Sequence, residues 1–108
     1  MADRFLQTLG LARRAGRAVY GIETVTASAR DAILILLAKD AGNAVSRRAG
    51  RLELRAGAQI LAVPYTRAAL GRALGVKTCA AAAVTEQGFA DNLQRQLQEP
   101  DANYSQNV

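Results

Sequence analysis

The chain has no histidine, no tryptophan, one cysteine and two prolines among its 108 residues. Each scarcity removes a class of chemistry. Without histidine there is no Ser-His or Cys-His nucleophile pair, no imidazole metal ligand and no histidine pH switch. A lone cysteine, Cys79, supports neither an intrachain disulfide nor a CxxC zinc site. Lacking a histidine partner, it reads as a small residue in or beside a strand rather than as a nucleophile. The nine acids are scattered, with no close pair suited to glycosidase or metal chemistry. No GxxxxGK[ST] phosphate loop occurs, and no GxGxxG follows a strand. The expectation is therefore a non-catalytic protein without cofactor or metal. The longest apolar run, Ala32 to Ala38, falls far short of the roughly 20 residues that a membrane span requires. No signal-peptide core follows Met1, so a reduced, cytoplasmic compartment is expected.

What is abundant is alanine, at 23 positions, against only five aromatic residues. The core must be aliphatic and built from small side chains. A chain of this length fits one domain and buries roughly 65% of its surface on folding. The net charge is +5 but uneven: residues 13–77 hold 12 of the 14 Lys and Arg with four acids, a net of +8. Residues 86–108 carry four acids against Arg95, a net of −3. A basic body with an acidic end suits a polyanionic partner.

Apolar spacing predicts nine elements. A helix runs from Asp3, its N-cap, to Ala15, and Gly16 stops it. A short strand over 17–20 is broken by Gly21, and a helix spans Ile22 to Arg30. The run Ala32–Ala38 suits a strand buried on both faces, as in a parallel sheet. A basic helix covers Ala44 to Arg55, and a second buried strand covers Gln59 to Val63, ended by Pro64. Thr66 caps a helix to Leu74 with Leu70, Ala73 and Leu74 inward, and Gly75–Thr78 forms a loop. Cys79 to Val84 is a strand by its position. Thr85 is a cap candidate for a last helix carrying Phe89, Leu93 and Leu97 on one face. Pro100 ends it, leaving a single domain over 1–99 and a flexible polar tail over 100–108. Alternation of this kind implies an α/β/α sandwich with a mainly parallel sheet.

Three features stand out. Arg13, Arg14 and Arg17 precede Gly21, which opens a helix and lets another backbone come close. Val63–Tyr65 leads to a helix with glycines at 71 and 75, a spacing that permits close packing. The Gly75–Thr78 loop lies beside Gly21 only in some strand orders. Tyr20 and Tyr65 sit at strand ends, where packing at the domain edge is the simpler role than stacking on a base. Arg47, Arg48, Arg51 and Arg55 form a separate basic face, assigned to solubility ahead of a second polyanion contact.

In this order and spacing, the stretches 9–17, Gly21, 32–40, 63–65 and 70–75 resemble the superfamily of ribosomal proteins L-seven-Ae and L-thirty-e. The nearer resemblance is to its small bacterial YlxQ-type RNA-binding branch, over roughly residues 3–97. The resemblance implies a three-layer α/β/α sandwich around a mixed four-stranded sheet. It implies binding of structured RNA and association with the ribosome; nothing in the sequence demands more than a monomer. Archaeal members grip kink-turns, sharply bent RNAs with tandem sheared G·A pairs, through a Gly-x-Asn-Glu-x-x-Lys segment. A loop before the last strand adds apolar contacts to a flipped-out base.

Carried over by position, Gly21 is kept and Ile22 follows it. Glu23 stands at the asparagine, Thr24 at the glutamate and Ala27 at the lysine. Val76, Lys77 and Thr78 occupy the apolar loop. Ala27 removes a phosphate contact, Thr24 reaches less far than glutamate, and Glu23 accepts from a guanine edge without donating. Arg13, Arg14, Arg17, Lys39 and Lys77 would supply electrostatic contacts. Kink-turn specificity then depends on Glu23 and Thr24 replacing the usual readers. Two other functions suit the same fold. One is a protein-interaction adaptor using apolar surface near Val76 and Tyr65. The other is an orphan substrate-binding domain of an RNA-modifying enzyme.

Overall fold

The computed structural model describes residues 3–98. The polar tail expected over 100–108 lies outside them. Five helices and four strands alternate: α1 (Arg4–Arg14), β1 (Ala18–Tyr20), α2 (Ile22–Ala27), β2 (Leu34–Leu37), α3 (Asn43–Ala56), β3 (Gln59–Ala62), α4 (Arg67–Leu74), β4 (Ala81–Val84) and α5 (Gln87–Gln98). The sheet runs in the order β1-β4-β2-β3. Only β2 and β3, joined through α3, are parallel. β4 lies antiparallel between β1 and β2. The sheet is thus mixed, as the resemblance implies, and not the mainly parallel one that alternation suggested. That rule assumes each crossover returns the chain in the same direction, and α4 delivers β4 reversed.

Alternate residues of the central strands feed two cores. Leu34, Leu36, Ala82 and Val84 face the layer of α1, α4 and α5. Ile35, Leu37, Ala81 and Ala83 face α2 and α3. This makes the three-layer sandwich. β2 and β4 are buried throughout. Alanine is a poor strand former, but in β4 it lets both helix layers close on a central strand. β3 was expected to be buried and is instead an edge strand, with Gln59 and Ala62 exposed.

Local chemistry sets the helix ends. Asp3 accepts from Leu6 N–H at 3.1 Å and Thr66 from Ala69 N–H at 3.1 Å, as expected of N-caps. The last helix is capped by Glu86, which accepts from Phe89 N–H at 3.1 Å. Thr85, the expected cap, bonds the Arg17 carbonyl at 3.3 Å instead. α2 stops at Ala27 rather than Arg30. Its Thr24-Val25-Thr26 run has low helix propensity, and the Thr26 hydroxyl donates back to the Ile22 carbonyl at 2.7 Å. Two glycines set how close the α1/α4 layer packs. A Cβ on Gly10 would lie 2.9 Å from the Ala73 carbonyl oxygen, and one on Gly71 would lie 2.7 Å from Lys77 O and Thr78 Cα.

Candidate nucleic-acid interface

The strand order answers the question left open by the Gly75–Thr78 loop. Because β1 and β4 are antiparallel neighbours, the end of β1 meets the start of β4. Gly21 N–H donates to the Ala81 carbonyl at 2.8 Å. The turn after β1 and the loop before β4 therefore share one end of the sheet. Gly21 has φ 88°, a region L side chains rarely adopt, and a Cβ there would meet open space. Its role is conformational. The first helical bond of α2 is Val25 N–H to Gly21 O at 2.8 Å. The N–H groups of Ile22, Glu23 and Thr24 precede it, and no side chain caps them.

The facing loop is held by its neighbours. Val76 N–H donates to Gly71 O at 2.8 Å and Cys79 N–H to Arg67 O at 3.0 Å. The closeness of Gly71 to Lys77 and Thr78 pins the backbone against α4. Lys77 and Thr78 are exposed, whereas Val76 is half-buried against the larger core. Cys79 is buried and donates to the Ala81 carbonyl at 3.1 Å. Burial pushes its thiol pKa up, partly offset by backbone groups of Gly21 and Ala81. A thiol held neutral in this way is a poor nucleophile.

Lys39 arrives from β2. Ala38 N–H donates to Ala80 O at 3.0 Å, and Lys39 N–H to Tyr65 O at 2.9 Å, so Lys39 stands exposed beside the same loop. Asp40 fastens this corner by accepting from Arg67 N–H at 2.7 Å. That bond, with the guanidinium beside it, holds the Asp40 carboxyl below the usual range.

The arginines divide. Arg13 reaches across β1, its guanidinium 5.0 Å from the centre of the Tyr20 ring. With Ala18, Val19, Tyr20 and Thr24 it lines a surface concavity of about 360 Å³. Its Nε is buried and has no hydrogen-bond acceptor among the described residues. Arg14 points elsewhere, into a groove of about 600 Å³ between α1 and α4 with Leu11 and Arg72. Arg17 precedes the far end of β1, where its carbonyl accepts from Thr85 N–H at 2.9 Å. Four residues of strand put its backbone about 13 Å from Gly21. The structure thus brings together Arg13, Gly21, Ile22, Glu23, Thr24, Lys39, Lys77 and Thr78. It does not bring Arg14 or Arg17 to them.

Two residues assigned other roles from the sequence, domain-edge packing and solubility, take part here. Tyr20 is the platform for Arg13. Arg48, on α3, lies 3.5 Å from the Glu23 carboxylate. Both of those side chains are well exposed, so the pair is weak. Among the described residues no three His, Cys, Asp or Glu side chains gather where a metal would sit. Among the described residues no helix is long and apolar enough to cross a membrane.

A glycine turn opening a short helix, set against the loop that enters the central antiparallel strand of an α/β/α sandwich, is the arrangement the sequence resemblance implies. It defines a small α/β/α domain in which the turn after β1 and the loop before β4 meet at one end of the sheet. The chain is 36% identical over 91 residues to the RNA-binding protein YlxQ of Bacillus subtilis (strain 168), across 79% of this chain and 86% of that protein. It belongs to the YlxQ family. A protein of unknown function from Bacillus halodurans has the same structure, with TM-score 0.82 and 27% identity over 91% of this chain and 100% of that one. The Giardia lamblia 15.5kD RNA-binding protein shares the fold, with TM-score 0.69 and 14% identity over 90% of this chain and 84% of that one. No family model matches the sequence.

Proposed function

We propose that the protein is a non-catalytic binder of structured RNA, with kink-turns as its target class. The observation that carries this reading is the meeting of the Gly21 turn with the Lys77–Thr78 loop in a chain of the YlxQ family. Around that junction Arg13, Lys39 and Lys77 are cationic. Phosphate supplies acceptors and charge together. In this reading Glu23 accepts from a guanine edge, and Thr24, which lines the Tyr20 concavity, lies next to it in α2. Val76 is largely used by the core, so the base contact from the loop falls to Thr78 and the stem of Lys77.

The same reading makes the protein a cytoplasmic monomer that works on ribosomal RNA. The adaptor alternative has less support here. Tyr65 stacks on Phe5 at 5.2 Å, and Val76 packs on the core, so little apolar surface is left between them.

The test is a titration at two salt concentrations against a kink-turn, the same RNA with its G·A pairs made Watson–Crick, and a plain hairpin. Preference for the kink-turn is expected, with salt sensitivity reporting the phosphates engaged. Equal, weak binding to all three would remove kink-turn specificity, and no binding would remove RNA as the partner. Cosedimentation with ribosomal particles in a gradient checks the ribosomal assignment.

A further inference from the structure

We propose that the outer face of α3 is a second phosphate-binding surface, which takes the backbone of the double-stranded RNA stem leading away from the Gly21 turn. This rests on the RNA-binding reading above. Ala49 and Leu52 bury the inner side of α3, with Val45 packed beside them. Arg47 and Arg51 stand on the outer side, both exposed. They are one turn apart, about 6 Å along the axis.

Two observations separate this face from an ordinary solvated one. The first is its lack of neutralisation. Among the described residues the only ion pair on α3 is Arg48 with Glu23, and that acid belongs to α2. Among the described residues Arg47 and Arg51 have no acidic partner within ion-pair distance. Like charges at this spacing weaken a helix. Gly50, between them in sequence, weakens it further, and a Cβ there would meet open space. A helix shaped only for solubility would alternate its charges. The second observation is continuity. The Arg48–Glu23 contact at 3.5 Å places the arginine row directly beside the turn that carries Glu23 and Thr24. A duplex entering at that turn and crossing α3 would pass Arg48, then Arg47 and Arg51. Its phosphates would compete with Glu23 for Arg48 and relieve the repulsion between the other two.

The test uses the full chain and its Arg47→Ala/Arg51→Ala double variant. Both positions are exposed and alanine favours helix, so the variant folds; a melting curve checks this. Affinity is measured against salt for a kink-turn with long flanking stems, the same kink-turn with its stems trimmed, and a plain duplex. On the long-stem RNA the double variant should lower the slope of log affinity against log salt by about 1.8, the share of two phosphate contacts on a duplex. Affinity there should fall about tenfold at low salt, and binding to the trimmed RNA should be unchanged. An unchanged slope on the long-stem RNA, or an equal loss on the trimmed one, overturns the proposal. Kink-turn preference with an unchanged slope overturns the α3 surface alone. No kink-turn preference, with the slope still lowered on the plain duplex, overturns the kink-turn reading and keeps the α3 surface.

Discussion

The two helix layers of this protein are built differently. The layer of α1, α4 and α5 has a side-chain cap at every helix start, from Asp3, Thr66 and Glu86. It packs backbone to backbone at Gly10 and Gly71, and Tyr65 adds a stack on Phe5 and a 2.7 Å hydrogen bond to Asp3. The layer of α2 and α3 starts both helices at glycine without side-chain caps. Its core is smaller, and its surface carries Arg47, Arg48 and Arg51. One layer caps its helices with side chains, whereas the other leaves the first backbone N–H groups of its helices uncapped and carries a row of arginines. The two layers are thereby separated by how their helices start, while the proposed RNA surface draws on both, Arg13 of α1 and the Lys77–Thr78 loop beside α4 included.

That separation can be broken by mutation. The largest effect should come from Leu70→Ala, which empties a fully buried position in the three-helix layer. It should cost about 2–5 kcal/mol in urea unfolding. Val25→Ala, equally buried opposite, removes less volume and should cost about 2 kcal/mol. RNA affinity of folded Leu70→Ala should be unchanged; equal losses of stability at the two sites would contradict the asymmetry.

A sharper contrast lies within the first layer. Gly71→Ala and Gly10→Ala each drive a Cβ into backbone and should each cost about 1–3 kcal/mol. Only Gly71→Ala collides with Lys77 and Thr78, so only it should also weaken RNA binding. Matching affinities for the two variants would show that the loop position does not matter.

The arginines offer a smaller effect. Arg13→Glu should raise the Kd for RNA about tenfold, because it places an acid beside Tyr20 and Thr24. Arg17→Glu, at the far end of β1, should raise it less, and Arg95→Glu not at all. Anisotropy titration of the three orders them.

The smallest effect is one of pH. Burial, helped by the bond to Asp3, pushes the Tyr65 hydroxyl pKa above the usual tyrosine range. The folded state therefore keeps a proton that the unfolded chain releases near pH 10. The Tyr65 contribution is complete below that pH and declines as pH rises above it. Melting temperatures between pH 8 and 11 should fall less steeply in Tyr65→Phe than in the parent.

Much of this was legible in the residues. The helical spacing of Phe5, Leu9 and Ala12, the caps Asp3 and Thr66, and the apolar run around Leu34–Leu37 all declare themselves locally. Gly21 announces the break between β1 and α2, and its positive φ is seen only in the fold. The last cap was misread because Thr85 and Glu86 are adjacent and either side chain can reach an amide. β3 was misread because an apolar run looks the same at an edge as in the centre. Arg13, Arg14 and Arg17 are near neighbours in sequence and equally basic, so nothing local says that only Arg13 crosses to Tyr20. The helix phase of 13 against 14 and the length of β1 decide it.

By itself, then, the sequence determined which segments are helix or strand, which faces are apolar, where the glycines turn the chain, and that its body is basic. These depend on neighbours a few residues apart. The order β1-β4-β2-β3 was decided only by tertiary structure. Pairing β1 with β4 joins residues more than sixty positions apart. No local propensity encodes such a pairing; it follows from how all four strands share two cores. That pairing sets the Gly21 turn beside the Lys77–Thr78 loop, and the packing of α2 on α3 sets Arg48 beside Glu23.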